Sequence, residues 1–411
     1  MAEQDRHCIL LWMSGGPSQT DTWDLKPGHE NGGEFQEIQT ASPGLRISEH
    51  FPELAKQSER IAVIRGLNTA EGDHGRGTYL MRTGHVPMGP VDYPSIGATL
   101  GKQLRHGQQT LPNFVSIGPY RVLNRDAFGS GFLGPRYGSL IVGASDVNYV
   151  ATSSAPGGTT AFPDLKVDAI DRPVDVSHER LKRRLDLLAD LQRDFLTLHA
   201  DGAPKSHQTV YQSAVSLMSS DDANAFDLTK EPDAVRERYG AGLFGQGCLM
   251  ARRLVERGVA FVEVSLGTSA GGIGWDTHSD NFNAVRRLSL ELDQGWSSLM
   301  MELDDRGLLE STTILCMGEF GRTPVINASN GRDHFPAAWS CAIAGGGIRG
   351  GGAYGKTSAD GMEVTDGQVG ADDVQATLCR ALGLDPAESQ MDPNGRPIAI
   401  SEGRPIKEVL S

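Results

Sequence analysis

The chain has 411 residues, 38% of them hydrophobic, enough to fill the core of one large α/β domain or of two. Its formal charge of −14, with no Lys- or Arg-rich run, argues against nucleic acid as the main partner. Five cysteines (Cys8, Cys248, Cys316, Cys341 and Cys379) lack CxxC spacing, which argues against a thiolate zinc site and a disulfide framework.

HCILLWM (7–13) reads as a buried strand and opens into SGGPSQTDTWD. A short helix is expected at 50–59. IAVIRGL (61–67) is a second strand, running into NTAEGDHGRG. Helical patterns follow at 75–84 and 95–104, then a strand at 113–117. Residues 119–175 are rich in Gly, Pro and Ser without a sustained period and read as an insertion beside the site. HERLKRRLDLLADLQRDFLTLHA (178–200) is the clearest helix, with Leu181, Leu185, Leu188, Leu191 and Phe195 in one stripe. Helices at 206–219 and 243–257 complete a cap or side layer over 176–257. VAFVEVSL (259–266) is a strand that enters GTSAGGIGWDTHSDNF, and 278–307 is a long helix ending at Gly307. Strands at 312–317 and 339–344 flank GEFGRTP and GRDHF. AGGGIRGGG (344–352) lacks the GK[ST] ending of a phosphate loop and reads as a turn. A helix at 371–383 closes the pattern. The alternation predicts a single α/β domain over 1–411 with a largely parallel, doubly wound sheet flanked by helices, and 119–257 as an inserted cap region.

Four strands open into Gly-rich loops holding Asp, Glu or His, which predicts a common site at the carboxyl edge of the sheet. Asp276 and His278 in WDTHSDN suit zinc, manganese or iron. Glu319 either binds a metal or orients a ligand histidine, and Arg322 is placed to clamp an anionic oxygen. Asp333 and His334 share a loop, and His334 is the best single ligand candidate. His74, after Asp73 at a helix start, is a ligand, an acid/base or a nucleophile. Ser14-Gly15-Gly16 can present N–H groups to an oxyanion, while Asp24 is able to brace its loop through Lys26.

SGGPSQTDTWDLKPG, HGRGTYLMRTGH (74–85), WDTHSDNF and GEFGRTP…GRDHF together resemble a bacterial domain-of-unknown-function family of the alkaline phosphatase/sulfatase superfamily. The resemblance runs from residue 8 to about 385. It implies an alkaline-phosphatase-like fold and a site with one or two metals that cleaves phosphate or sulfate esters. Ser14 then stands where the superfamily has an Asp ligand, and Asp21 is the substitute. Counting back from Thr83-Gly84 puts His74 at the nucleophile position, and the CxPSR signature of formylglycine sulfatases is absent. Phe320 replaces the usual histidine beside the acid, so His334 supplies that imidazole.

The expected function is a metal-dependent hydrolase of phosphate or sulfate esters, acting on a small-molecule or saccharide ester. His74, Arg322 and Ser14 are its catalytic candidates. Asp276, His278, Glu319, Asp333, His334 and Asp21 are its metal candidates. The expected cofactor is a divalent metal, zinc first, with manganese, magnesium or calcium as alternatives. A non-catalytic metal- or anion-binding protein on the same scaffold is the alternative, and a phosphotransferase or isomerase a third reading. No apolar run approaches membrane-span length. No signal peptide is visible, so a periplasmic or exported location follows if a leader has been removed and a cytoplasmic one otherwise.

Overall fold

The computed structural model describes residues 5–104, 110–143, 162, 163, 165–167, 170, 175–198, 203–269 and 272–411. Its main sheet has eight strands: β1 (His7–Met13), β2 (Ile61–Leu67), β3 (Phe114–Ile117), β4 (Leu140–Val142), β5 (Phe261–Leu266), β6 (Thr312–Met317), β7 (Trp339–Gly345) and β8 (Gly352–Tyr354). Their spatial order is β8-β2-β7-β6-β1-β5-β3-β4. Only β7 is reversed, pairing antiparallel with β6 and β2. The ends of β1, β2, β5 and β6 therefore emerge on one edge, where β7 begins.

β1 lies at the centre, between β6 and β5. Every residue of it is buried, as expected of a strand covered on both faces. Alternation sends Ile9, Leu11 and Met13 into one core and Cys8, Leu10 and Trp12 into the other. The helices are α1 (His74–Thr83), α2 (Ile96–Gln103), α3 (His178–Leu198), α4 (Ala203–Met218), α5 (Leu243–Val255), α6 (Asn281–Asp305) and α7 (Ala371–Ala381), besides shorter turns. α1, α2 and α7 supply Met81, Leu100 and Leu378 to the core of Cys8, Leu10 and Trp12. α5 and α6 supply Leu249, Leu254, Leu292 and Trp296 to the opposite core.

The six expected strands are all present. β4 and β8 escaped the pattern because they are three-residue edge strands, too short to show a period. β8 begins at the end of the stretch expected to be a turn. Most of 144–174 lies outside the described residues. The described part of the expected insertion adds β4 to the sheet edge and lays α5 on β5 and α6. Among the described residues no helix is long and apolar enough to cross a membrane. All five cysteines are buried and free.

Candidate metal centre

The loop after β1 starts the site. Gly15 has φ +112°, and a Cβ there would stand 2.4 Å from the backbone N of Asp276. Only glycine permits that approach, which presses the loop after β1 onto the loop after β5. The Ser14 carbonyl accepts the Trp275 N–H at 3.1 Å and completes the junction. Gly331 does the same between the loop after β5 and the approach to β7, because a Cβ there would stand 2.0 Å from the His278 carbonyl oxygen. A two-residue ladder, Arg322 against His334, then sets the loop after β6 beside the approach to β7.

Three imidazoles and one carboxylate converge at this edge. Asp276 Oδ1 lies 3.2 Å from His74 Nε2, 3.2 Å from His278 Nε2 and 3.3 Å from His334 Nε2. The Nε2 atoms of His278 and His334 are 3.0 Å apart. Each ring is turned the same way by an acceptor on its Nδ1. His74 Nδ1 meets Glu319 Oε1 at 2.7 Å, His278 Nδ1 meets Asp333 Oδ1 at 2.7 Å, and His334 Nδ1 meets the Gly72 carbonyl at 2.7 Å. A carbonyl or carboxylate can only accept, so each Nδ1 carries the proton and each neutral ring presents a bare Nε2. Lone pairs facing one another at these distances need a cation among them.

The donor set fits a metal ion. Donors about 2.0–2.1 Å from a tetrahedral zinc lie roughly 3.3 Å from one another, close to the separations here. Oxygen acceptors behind the imidazoles are the arrangement that fixes ligand histidines. His74 Nε2 is buried without a hydrogen-bond partner, as are Glu319 Oε2 and Ser14 Oγ. Among the described residues, His74, Asp276 and His334 form the one group of three such side chains whose ligand atoms lie within 4.8 Å of one another. His278 lies outside that group of three, although its Nε2 is 3.2 Å from Asp276 Oδ1 and 3.0 Å from His334 Nε2.

Electrostatics follow from the convergence. Burial lowers the pKa of His74, but Asp276 and Glu319 overcome it and raise the value to about 9 in the metal-free site. Burial pushes Asp276 up, but His334, His74 and Arg322 hold it well below the usual carboxylate range. His278 lowers Asp333.

Other candidates stand one bond further out. Glu319 accepts from His74 and, at 2.9 Å, from the Gly15 N–H. Arg322 is fully buried. Its donors go to the carbonyls of Gly15, Gly16 and Arg332 and, at 2.6 Å, to Asp276 Oδ1, so it holds Asp276 rather than facing an open pocket. Asp21 belongs to a separate network: Arg332 donates to its two oxygens at 2.7 and 3.0 Å, and Asn281 donates at 2.8 Å. Asp24 binds Lys26 and Thr357.

Sequence reading passed over Arg332, Asn281 and Asn327. Asn327 Nδ2 donates to the His278 carbonyl at 3.0 Å and to Asp333 at 3.3 Å, bracing the His278–Asp333 pair. The second arginine of GEFGRTP…GRDHF was the available signal, since two fixed arginines within one pair of loops need two buried acceptors. The stretch after β3 also reaches the site, where Asn124 Nδ2 donates to the Gly75 carbonyl at 3.0 Å.

Fold and cluster together define an α/β protein with a histidine–carboxylate centre at the carboxyl edge of its sheet. The chain belongs to the family described as protein of unknown function, DUF1501, whose model matches residues 5–410. No curated protein matches it. Among solved structures it is similar to the lipoteichoic acid synthase of Listeria monocytogenes, at 11% identity over 99% of this chain and 76% of that one, TM-score 0.45. It is also similar to an alkaline phosphatase superfamily protein of Vibrio parahaemolyticus (12%, 100% and 72%, TM-score 0.42). A third is the phosphonate monoester hydrolase of Silicibacter pomeroyi (12%, 98% and 76%, TM-score 0.41).

Proposed function

We propose that the protein is a metal-dependent hydrolase of phosphate or sulfate esters, with one divalent ion held by His74, His278, His334 and Asp276. The observation that carries this reading is the common orientation of the three imidazoles, each with Nδ1 tied to oxygen and Nε2 at Asp276 Oδ1. The resemblance of the four motifs to the phosphatase/sulfatase superfamily supports the substrate class.

A bound divalent ion supplies Lewis acidity toward an ester oxygen and lowers the pKa of water. The chain's own groups do the rest. Glu319, Asp333 and the Gly72 carbonyl keep the imidazoles in one tautomer. Arg322 fixes Asp276 and ties the Gly15 and Gly16 carbonyls to it. Asp73 caps α1 by accepting the Arg76 N–H at 3.0 Å, leaving the first N–H groups of α1 beside His74 for an anionic oxygen. Ser14 Oγ and Glu319 Oε2, both buried and unpartnered, are assigned to bonding a substrate oxygen or an attacking water. His74 is assigned here to the ion rather than to covalent attack, because its Nε2 faces Asp276.

One feature favours the binding-protein alternative. Four protein donors would fill the shell of a four-coordinate ion, and closed shells are typical of structural zinc. The two readings part on activity. Purified protein is loaded in turn with zinc, manganese, magnesium and calcium, then assayed on aryl phosphates, phosphodiesters and aryl sulfates. Turnover that a chelator abolishes and added metal restores supports the hydrolase. Stoichiometric metal without turnover on any of these esters overturns it in favour of the binding protein.

A further inference from the structure

Beneath α1 the sheet carries polar side chains where a core is expected to be apolar. Glu263 on β5 stands in register between Leu10 of β1 and Ser116 of β3. Leu10 belongs to the core that α1 covers, so alternation turns Ser116, Glu263 and, two residues on, Ser265 toward that helix. All three are buried. α1 meets them with Arg82, which is buried as well. Its Nη2 donates to Glu263 Oε2, and its Nε donates to the Ala127 carbonyl at 2.9 Å. Its guanidinium carbon lies 3.8 Å from the centre of the Phe128 ring and 5.1 Å from that of Trp12. One side chain therefore ties α1 to β5, to β1 and to the stretch after β3.

Those same four pieces build the candidate metal centre. α1 begins with His74, β5 runs into Asp276 and His278, and β1 runs into Ser14 and Gly15. The stretch after β3 reaches the Gly75 carbonyl through Asn124. Arg82 is eight residues beyond His74, about 12 Å along the helix axis. A slide or turn of this ten-residue helix at Arg82 is carried to its first residue. There His74 has to meet Glu319 Oε1 at 2.7 Å with one ring nitrogen and Asp276 Oδ1 at 3.2 Å with the other.

Energetics separate this role from plain stabilisation. A buried ion pair loses in desolvation about what it gains in attraction, and apolar side chains of similar volume often serve stability as well. Arg82 Nη1 and Glu263 Oε1 also find no hydrogen-bond partner, so the pair is an expensive way to hold a core together. What it supplies is direction. A planar guanidinium with two acceptors in its plane and aromatic rings over it fixes the rotation of α1, which apolar contacts alone leave loose.

We propose that Arg82, held by Glu263, is a positioning residue that sets His74 in the metal centre from the far end of α1. The inference rests on the reading of His74 as a metal ligand.

The test compares the parent with Arg82→Lys, which keeps the charge but not the fork, and with Arg82→Met/Glu263→Leu, which leaves no unmatched charge. Circular dichroism and melting show that each is folded. Zinc affinity is measured by competition with a chromophoric chelator. Proton NMR of the metal-free proteins follows the imidazole Nδ1–H signals, one for each of His74, His278 and His334. Both variants are expected to bind zinc about tenfold or more weakly, the usual scale for losing support behind a ligand. The His74 signal shifts or broadens in both, while those of His278 and His334 stay. Folded variants with the parent's zinc affinity and an unmoved His74 signal overturn the proposal. Loss of all three signals together also overturns it, since Arg82 would then support packing in general. A parent that binds no zinc, with the His74 signal alone disturbed in the variants, sinks the metal reading and leaves the positioning role standing.

Discussion

His278 and His334 face one another with their Nε2 atoms 3.0 Å apart, and neither ring can turn away without giving up an acceptor on its other nitrogen. His278 is held by Asp333 and His334 by the Gly72 carbonyl, so the loops after β5 and β2 and the approach to β7 all fix this one contact. The arrangement is unfavourable for two neutral rings and favourable for two rings sharing a cation. Beside them, Asp276 and Glu319 raise the His74 pKa to about 9 against the effect of burial.

The first prediction concerns metal content. His278→Ala and His334→Ala each lower the metal bound by purified protein, measured by elemental analysis, while His29→Ala, which removes only a turn acceptor, does not. A chelator lowers the parent melting temperature by roughly 5–10 °C, since an ion bound only by the folded state adds to its stability. The two site variants hardly move. Full metal content in either variant removes that histidine from the shell.

Gly15 is the most sensitive position in the loop after β1. An alanine there must hold φ +112° and place its Cβ 2.4 Å from the Asp276 N. Backbone strain of this kind costs on the order of 1–3 kcal/mol before any overlap is counted. Gly15→Ala is expected to lower stability by about 3 kcal/mol in chemical denaturation and to cut metal affinity, because Asp276 must shift. Gly28→Ala, whose Cβ meets nothing, is the control for positive φ alone. Equal effects of the two would show that the close approach to Asp276 is unimportant.

Much of this was legible in the residues. Central strands such as β1 and β6 are continuous apolar runs, so the sheet declared itself, and each strand's Gly-rich exit marked the edge where His74, Asp276, Glu319 and His334 meet. The division of labour among polar residues was not legible. Asp21 and Asp276 look alike in sequence. Which one faces the imidazoles depends on where Arg332 and Arg322 lie, and that is a fact of loop packing across some three hundred residues. Arg322 likewise read as a substrate clamp, since nothing local reveals that the carbonyls of Gly15 and Gly16 enclose it.

That difference is testable at Asp21. Asp21 and Arg332 are both fully buried and bonded through two contacts. Removing one member of such a pair leaves a buried charge unmatched, at a cost of about 3–5 kcal/mol. Asp21→Asn should therefore lower the melting temperature sharply while the folded protein keeps its metal. A matching loss of metal at a temperature where the variant is folded would return Asp21 to the shell.

The last prediction lies away from the site, at Asp293 on α6. Its carboxylate accepts the N–H groups of Glu53 at 3.1 Å and Leu54 at 2.8 Å, at the start of the short helix Pro52–Lys56. Burial raises its pKa to about 6, although the two N–H groups oppose the rise. An acid with a raised pKa keeps its proton more tightly in the folded state than in the unfolded chain. Its contribution to stability is therefore fully present below about pH 4 and is lost as pH rises through about 6, a change on the order of 2–3 kcal/mol. Asp293→Asn carries no titrating group and lacks this slope. Urea unfolding of parent and variant at pH 4 and pH 7 isolates the difference, because the titrations of all other groups cancel between them. The parent should lose ground to the variant on going from pH 4 to pH 7. If the gap stays constant, or if the parent gains, the N–H groups of Glu53 and Leu54 outweigh burial and the carboxylate is an ordinary helix cap.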